Sequence, residues 1–211
     1  MRPGIAFAAA LLLALPAGCS REPKTSGEKK EAPANPKQAP PEYKVKVETT
    51  KGDFVIDVHR DWAPRGAGRF YELVRMGFYD DSRFFRVVKD FVVQFGLAKD
   101  PQLSQMMAQS ALPDDPALKS NMKGRVAFAK RGPGSRTSQV FVSLKNNRIL
   151  DDQNFVPFGE VIEGMDVVEK IYSGYGDYGG PDQAKIIAQG NSYLDRSFPR
   201  LDRLKKAIVV P

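Results

Sequence analysis

Apolar and polar residues alternate in two neighbouring runs: Tyr43, Val45 and Val47, and then, beyond the turn-forming pair Lys51-Gly52, Phe54, Ile56 and Val58. A period of two places alternate side chains on one face of a strand, so this segment predicts a β-hairpin with one buried face. The period then lengthens, and Ala67, Phe70 and Val74 share one face of a helix that Pro64 can open and Gly77 can close. A second short helix is predicted over 164–172, with Met165, Val168 and Ile171 on one side, and the closing run Ala207-Ile208-Val209-Val210 reads as a strand. Between these lie two apolar-rich stretches, Phe84 to Gly96 and Arg125 to Val142, each a pair of short strands around a polar turn. Many short strands with two or three helices are compatible with an antiparallel barrel, and the pattern alone does not choose barrel over sandwich.

The segment Ser173-Gly174-Tyr175-Gly176-Asp177-Tyr178-Gly179-Gly180-Pro181 is a loop by composition. Its glycines lack the Gly-Lys-Ser/Thr ending of a phosphate cradle. After it, Asp182 to Ser197 carries helix-compatible patches around Ile186, Ile187, Tyr193 and Leu194, interrupted by Gly190.

The first 41 residues have a different character. Met1-Arg2, the apolar run Ile5 to Leu15 and the small-residue close Pro16-Ala17-Gly18 have the layout of a secretory signal over 1–18. The run is shorter than the roughly 20 apolar residues a bilayer span needs. Leu15-Pro16-Ala17-Gly18-Cys19-Ser20 also resembles a bacterial lipobox, although Pro16 is not its usual residue at that place; the resemblance implies a lipid on Cys19. Cys19 is the only cysteine, so an internal disulfide is excluded. Ser20 to Pro41 is rich in Pro, Lys and Glu and has no aromatic or β-branched aliphatic residue. Such a stretch buries too little apolar surface to offset its ordering entropy, so 19–41 reads as a lipidated, disordered tether ahead of a single domain over 42–211.

Formal charge is +7 and is spread along the chain with no nucleic-acid motif, so a nucleic-acid partner is not expected. His59 is the only histidine, which excludes a second one from any Ser-His or Cys-His pair or histidine-based metal cluster. The paired carboxylates Asp80-Asp81, Asp114-Asp115 and Asp151-Asp152 read as turn chemistry.

Phe84-Phe85-Arg86-Val87-Val88-Lys89-Asp90-Phe91-Val92-Val93-Gln94-Phe95-Gly96, with Arg125 to Pro133 and Ser138-Gln139-Val140-Phe141-Val142, together resemble a cyclophilin. The likeness extends through Tyr43 to Phe54, Ala63-Pro64, Leu150-Asp151-Asp152, Phe158-Gly159-Glu160-Val161 and Gly164-Met165. It implies a mainly β fold, a closed eight-stranded antiparallel barrel capped by two or three helices, and peptidyl-prolyl cis/trans isomerase activity without metal or cofactor. By resemblance, Arg86 is the catalytic cation and Gln94 orients it or the substrate carbonyl. Phe91, Val92, Phe141 and Leu150 would seat the proline ring, and Gln139 and Ala129 would hold the peptide backbone. Lys130, Ile149 and Phe155 would border the groove, Ile149 standing where many members carry tryptophan and Phe155 in place of a histidine. Thr137 stands where glycine is frequent, and Lys130-Arg131 replaces a small polar and apolar pair.

The combined reading is an exported monomer, lipid-anchored through Cys19 to the bacterial cell envelope and facing the periplasm, acting on proline-containing polypeptides. A tethered peptide-binding chaperone or assembly scaffold with weak turnover is the alternative, favoured by the basic Lys130-Arg131 rim. A surface solute-binding lipoprotein fits less well, because the chain is short for two lobes.

Overall fold

The alternating segment folds as the expected hairpin in the computed structural model, which describes residues 39–211. Cys19, the signal-like segment and nearly all of the tether lie outside the described residues. Strand β1 (Glu42–Thr49) pairs antiparallel with β2 (Gly52–His59), from Glu42 opposite His59 to Thr49 opposite Gly52. Gly52 takes up the φ of 124° that the turn requires, a value side-chain-bearing residues rarely adopt. Ala39 is already buried, and its carbonyl accepts a 2.6 Å hydrogen bond from Arg60, so folded contacts begin just inside the segment that composition assigns to the tether.

Helix α1 (Pro64–Arg75) buries Ala67, Phe70, Leu73 and Val74, and the chain leaves it through Gly77 at φ 67°. Then follow β3 (Arg86–Val88), β4 (Val92–Phe95), α2 (Pro101–Ala108), β5 (Arg125–Phe128), β6 (Val140–Ser143), α3 (Ile149–Asp152) and β7 (Pro157–Glu163). The described elements end with α4 (Met165–Glu169), α5 (Gln183–Gln189), α6 (Asn191–Ser197) and β8 (Leu204–Val210). All eight strands join one antiparallel sheet in the order β3-β4-β6-β5-β7-β2-β1-β8. Its inner face and α1 enclose the main core, where Phe158 packs tilted against Phe70 and Phe128 at centroid distances of 5.0 and 5.2 Å. Aromatic pairs of this kind add about 0.5–1.5 kcal/mol beyond the area they bury.

Two expectations need correction. The barrel is not closed: β3 and β8 are the edges of the sheet, and the segments just before them meet at an isolated bridge between Arg83 and Arg203. There the Phe84 N–H donates to the Asp202 carbonyl at 3.0 Å and the Leu204 N–H to the Ser82 carbonyl at 2.9 Å. The Asp81 N–H donates to the Lys205 carbonyl at 3.3 Å one step further on, but no ladder forms between β3 and β8, and the sheet remains a half-barrel. There are also six helical segments among the described residues rather than two or three. Of those not expected, α2 carries a readable start signal, since Asp100 accepts from the Gln102 N–H at 2.8 Å and Pro101 occupies the first turn. Helices α5 and α6 realise the two apolar patches, broken where Gly190 at φ 60° passes so close to the Lys99 carbonyl that a Cβ would collide with it.

Helix α1 has no capping side chain of its own. Asp115, some fifty residues on, takes that place, accepting from the Arg65 and Gly66 N–H groups at 3.0 and 2.9 Å. The same carboxylate pairs with Arg136 Nη1 at 3.0 Å, and neither side chain is more than 1% exposed. Removing one partner of a buried pair strands the other without solvent, which costs about 3–5 kcal/mol. Asp115→Ala should therefore lower the stability of the fold by ~3 kcal/mol or more in urea denaturation. A loss below ~1 kcal/mol would show that the pair is not the anchor described, because that is the scale of an exposed pair.

Candidate active site

Strand register builds the floor of a groove. Arg86 pairs with Gln94, Gln94 with Phe141, and Phe141 with Ala127, giving one row across β3, β4, β6 and β5. Directly paired residues point to the same face of a sheet, so all four side chains stand on the outer face. The intervening positions Val93, Phe95, Val140, Val142, Val126 and Phe128 face inward and belong to the main core. That explains the near-continuous burial of β4, β5 and β6: one face meets the core and the other meets a second apolar cluster. Val92, Ala127, Phe141 and Leu150 form this cluster, with Phe91, Ala129 and Phe155 against it.

Ten of the eleven residues expected at the groove line a cavity of about 580 Å³. Phe141 and Phe155 meet edge to face at 5.7 Å, and Phe91 lies under the guanidinium of Arg86 at 6.0 Å. Their surroundings are fixed by buried amides. Asn147 donates to the Phe91 carbonyl at 2.8 Å, and Asn121 donates to the Phe155 carbonyl at 2.7 Å. Ala129 donates its N–H to the Gln139 carbonyl at 2.9 Å, holding the two sides of the neighbouring wall together.

Ile149 is the residue not brought in. It opens α3, is 61% exposed and is not part of the groove lining, whereas Leu150 beside it turns inward. Lys130 lines the groove but does not offer a free charge there. Its side chain is 5% exposed, and its ammonium bonds Asp114 at 3.3 Å.

The polar part of the site is a chain of hydrogen bonds. Arg86 Nη1 donates to Gln94 Oε1 at 3.2 Å, and Gln94 Nε2 donates to Gln139 Oε1 at 2.8 Å. Gln94 is only 6% exposed, so both of its amide atoms need these partners. The outcome is a cationic donor held at the rim of an apolar seat. Such a site can bind an apolar ring and stabilise charge or a lone pair beside it.

Residues 44–190 match the family model for cyclophilin type peptidyl-prolyl cis-trans isomerase/CLD. The chain belongs to the cyclophilin family. It is 35% identical over 146 residues to peptidyl-prolyl cis-trans isomerase CYP18-2 of Arabidopsis thaliana, covering 66% of this chain and 85% of that protein. Against peptidyl-prolyl cis-trans isomerase B of Escherichia coli it is 30% identical over 176 residues, covering 79% of this chain and 98% of that one. A crystal structure of a cyclophilin-type isomerase from Cryptosporidium parvum superposes with a TM-score of 0.61 at 19% identity, over 81% of this chain and 98% of that chain.

Several residues at this cyclophilin's groove were not singled out by sequence. Ala108 arrives from the end of α2, and Gln183 and Ile187 from α5. Asp177, in the loop before α5, bonds Arg86 Nε through its Oδ1 at 2.6 Å. That bond holds the Asp177 carboxyl below the usual carboxylate range. The Asp100-Pro101 pair announces α2, but no periodicity points from a Gly/Tyr-rich loop to an arginine 91 positions earlier.

Asp151 of α3 ties down the groove wall. It accepts from the Ser120 hydroxyl, from the Asn121 N–H at 2.8 Å and from Asn121 Nδ2 at 2.7 Å. Burial pushes its carboxyl up, but the hydrogen bonds from Ser120 and Asn121 outweigh it and hold the group below its ordinary value. A carboxyl depressed in the folded state stabilises the fold above its unfolded value of about 3.9, and that stabilisation is lost as pH falls through the folded value. Asp151→Asn should thus be less stable than the parent at neutral pH, with the gap narrowing below about pH 4. Urea midpoints measured across that range check this; a gap that stays constant or widens in acid contradicts it.

Proposed function

We propose that this groove accelerates rotation about X-Pro bonds in exported polypeptides, with Arg86 supplying the cationic hydrogen bond to the twisting amide. The observation that carries the reading is the row in which Arg86 is tied to Gln94 and Gln139 beside the apolar floor of Phe91, Val92, Phe141 and Leu150. An amide resists rotation because the nitrogen lone pair is delocalised into the carbonyl, which makes uncatalysed X-Pro exchange slow. At the perpendicular geometry the lone pair returns to nitrogen. A donor aimed there binds the transition state more strongly than either planar isomer. Arginine suits the task because it keeps its charge throughout the biological range.

In this reading the proline ring rests on Phe141 and Leu150 with Phe91 and Val92 at its sides. Gln94 orients Arg86, while Gln139 and the backbone at Ala129 hold the peptide on one side of the bond, and Lys130 and Phe155 complete the wall. An acceleration of ~10⁵ requires ~7 kcal/mol. A charge-assisted hydrogen bond contributes about 1.5–3 kcal/mol, and positioning and exclusion of water in the groove supply the remainder.

Full-length protein carrying Arg86→Ala should lose at least ~100-fold in kcat/KM in a protease-coupled proline-peptide assay, equivalent to ~2.7 kcal/mol of transition-state stabilisation. Its circular dichroism and urea midpoint should remain those of the parent. Near-parental turnover in a folded variant would remove Arg86 from the mechanism.

Location is part of the proposal. The signal-like segment and Cys19 support an exported lipoprotein in which 19–41 tethers the domain to the cell envelope. Mass spectrometry of the mature N-terminus should find a diacylated or triacylated Cys19, and Cys19→Ala should release the protein from the membrane fraction. An unmodified N-terminus at another residue refutes the anchor.

A further inference from the structure

We propose that Asp177 is a positioning residue for Arg86, a role that rests on the catalytic reading of that arginine. Arginine is a long, freely rotating side chain, and a donor that must point at one nitrogen gains from being held before substrate arrives. Two anchors do this from different edges of the guanidinium. Asp177 Oδ1 accepts from Nε at 2.6 Å and Gln94 Oε1 accepts from Nη1 at 3.2 Å, which leaves Nη2 without a hydrogen-bond partner among the described residues. Nη2 is then the amino group available to the ligand.

The loop that carries Asp177 is itself pinned at both ends. On the near side Tyr175 stands edge-on between Tyr172 and Phe198, at 5.3 and 5.0 Å, and its hydroxyl accepts from the Arg200 N–H at 3.3 Å. On the far side Asp182 caps α5 by accepting from the Ala184 N–H at 2.8 Å, and its own N–H donates to the Tyr193 hydroxyl at 3.2 Å. A carboxylate between two such anchors is presented to Arg86 by the fold rather than by chance encounter. The same contact holds the Asp177 carboxyl below its ordinary range.

Arg86 and Asp177 are 27% and 37% exposed, so the pair adds little to global stability. Its consequence is directional. Asp177 should affect turnover without affecting folding, which separates positioning from a structural role.

The test is a double-mutant cycle in the full chain, reading kcat and KM separately in the coupled assay, with urea midpoints as the folding control. Asp177→Ala should lower kcat about tenfold with KM changed less than about twofold, because an interaction made only with the oriented transition state is lost. Asp177→Asn, which keeps an acceptor at the same place, should recover activity to within about threefold of the parent. In the Arg86→Ala background, Asp177→Ala should change nothing further. The Arg86 Nε–H resonance should move upfield in Asp177→Ala and stay near its parental position in Asp177→Asn. An Asp177→Ala variant that is folded and as fast as the parent, or faster, overturns the proposal, as does an equal loss in the Arg86→Ala background. If Arg86→Ala alone retains parental turnover, the catalytic reading fails first and this one with it; if Arg86→Ala is inactive while Asp177→Ala is not, only the role of Asp177 falls.

Discussion

Gln94 is the residue on which the rest of the site depends. It sits in β4 with neighbours Val93 and Phe95 turned into the main core, so the two-residue period of the strand points its amide outward into the groove. A shift of one residue in the β4–β6 pairing would put that amide among Phe128, Val140 and Phe158 and expose Phe95 instead. The hydrophobic requirement of the core therefore fixes the register, and the register fixes which side chains line the groove. Because Gln94 is buried, its carbonyl and amino group must both be satisfied, and the partners available are Arg86 and Gln139. A folding constraint on one face of the sheet thus becomes an orientation constraint on the other.

The contrast between two arginines shows how environment assigns a role. Arg136 is 1% exposed, hydrogen-bonded to Asp115 and the Pro113 carbonyl and ion-paired with Asp114 at 3.4 Å, so its charge is spent inside the protein and its loss would strand a buried carboxylate. Arg86 is held along two edges, lies over an aromatic ring and leaves Nη2 without a hydrogen-bond partner among the described residues. Composition cannot separate the two. What separates them is place: Arg136 is buried and does not line the groove, while Arg86 opens β3 and lines it.

The parts of the fold legible in the sequence are those with strong local periodicity. The β1–β2 hairpin and α1 follow from alternation and a helical stripe, and Pro64 and Gly77 mark the helix ends closely. Closure of the barrel is not legible, because it turns on whether the isolated Arg83–Arg203 bridge extends into a ladder between the two edges, which no local pattern decides. The groove was legible only through family likeness: a phenylalanine facing the core, such as Phe95, and one facing the groove, such as Phe141, differ only in strand parity and not in residue type. Ile149 was misplaced relative to the lining since α3 is a single turn, where one step of rotation exchanges an exposed position for a buried one. Asp177 could not be read at all, as its partner is 91 residues away and the connecting fold is tertiary.

The segment from Ser173 to Ser197 is better understood as scaffold for the site than as decoration on the half-barrel. Its helices bury Ile186, Tyr193 and Leu194 against Phe85 and Leu97. Those two residues lie just beyond the Arg86–Gln94 pair, one immediately before β3 and the other just after β4, at the open end of that hairpin. An end pair of a three-residue ladder would fray on its own, since few contacts oppose opening there. Burying a large apolar side chain on each of the two continuing chains, at about 1.5–3 kcal/mol each, opposes that fraying directly. The same segment then supplies Asp177 to the guanidinium and Gln183 and Ile187 to the groove wall. Grip on the backbone at Phe85 and Leu97, anchorage of the Arg86 guanidinium and part of the groove wall thus come from one stretch of chain.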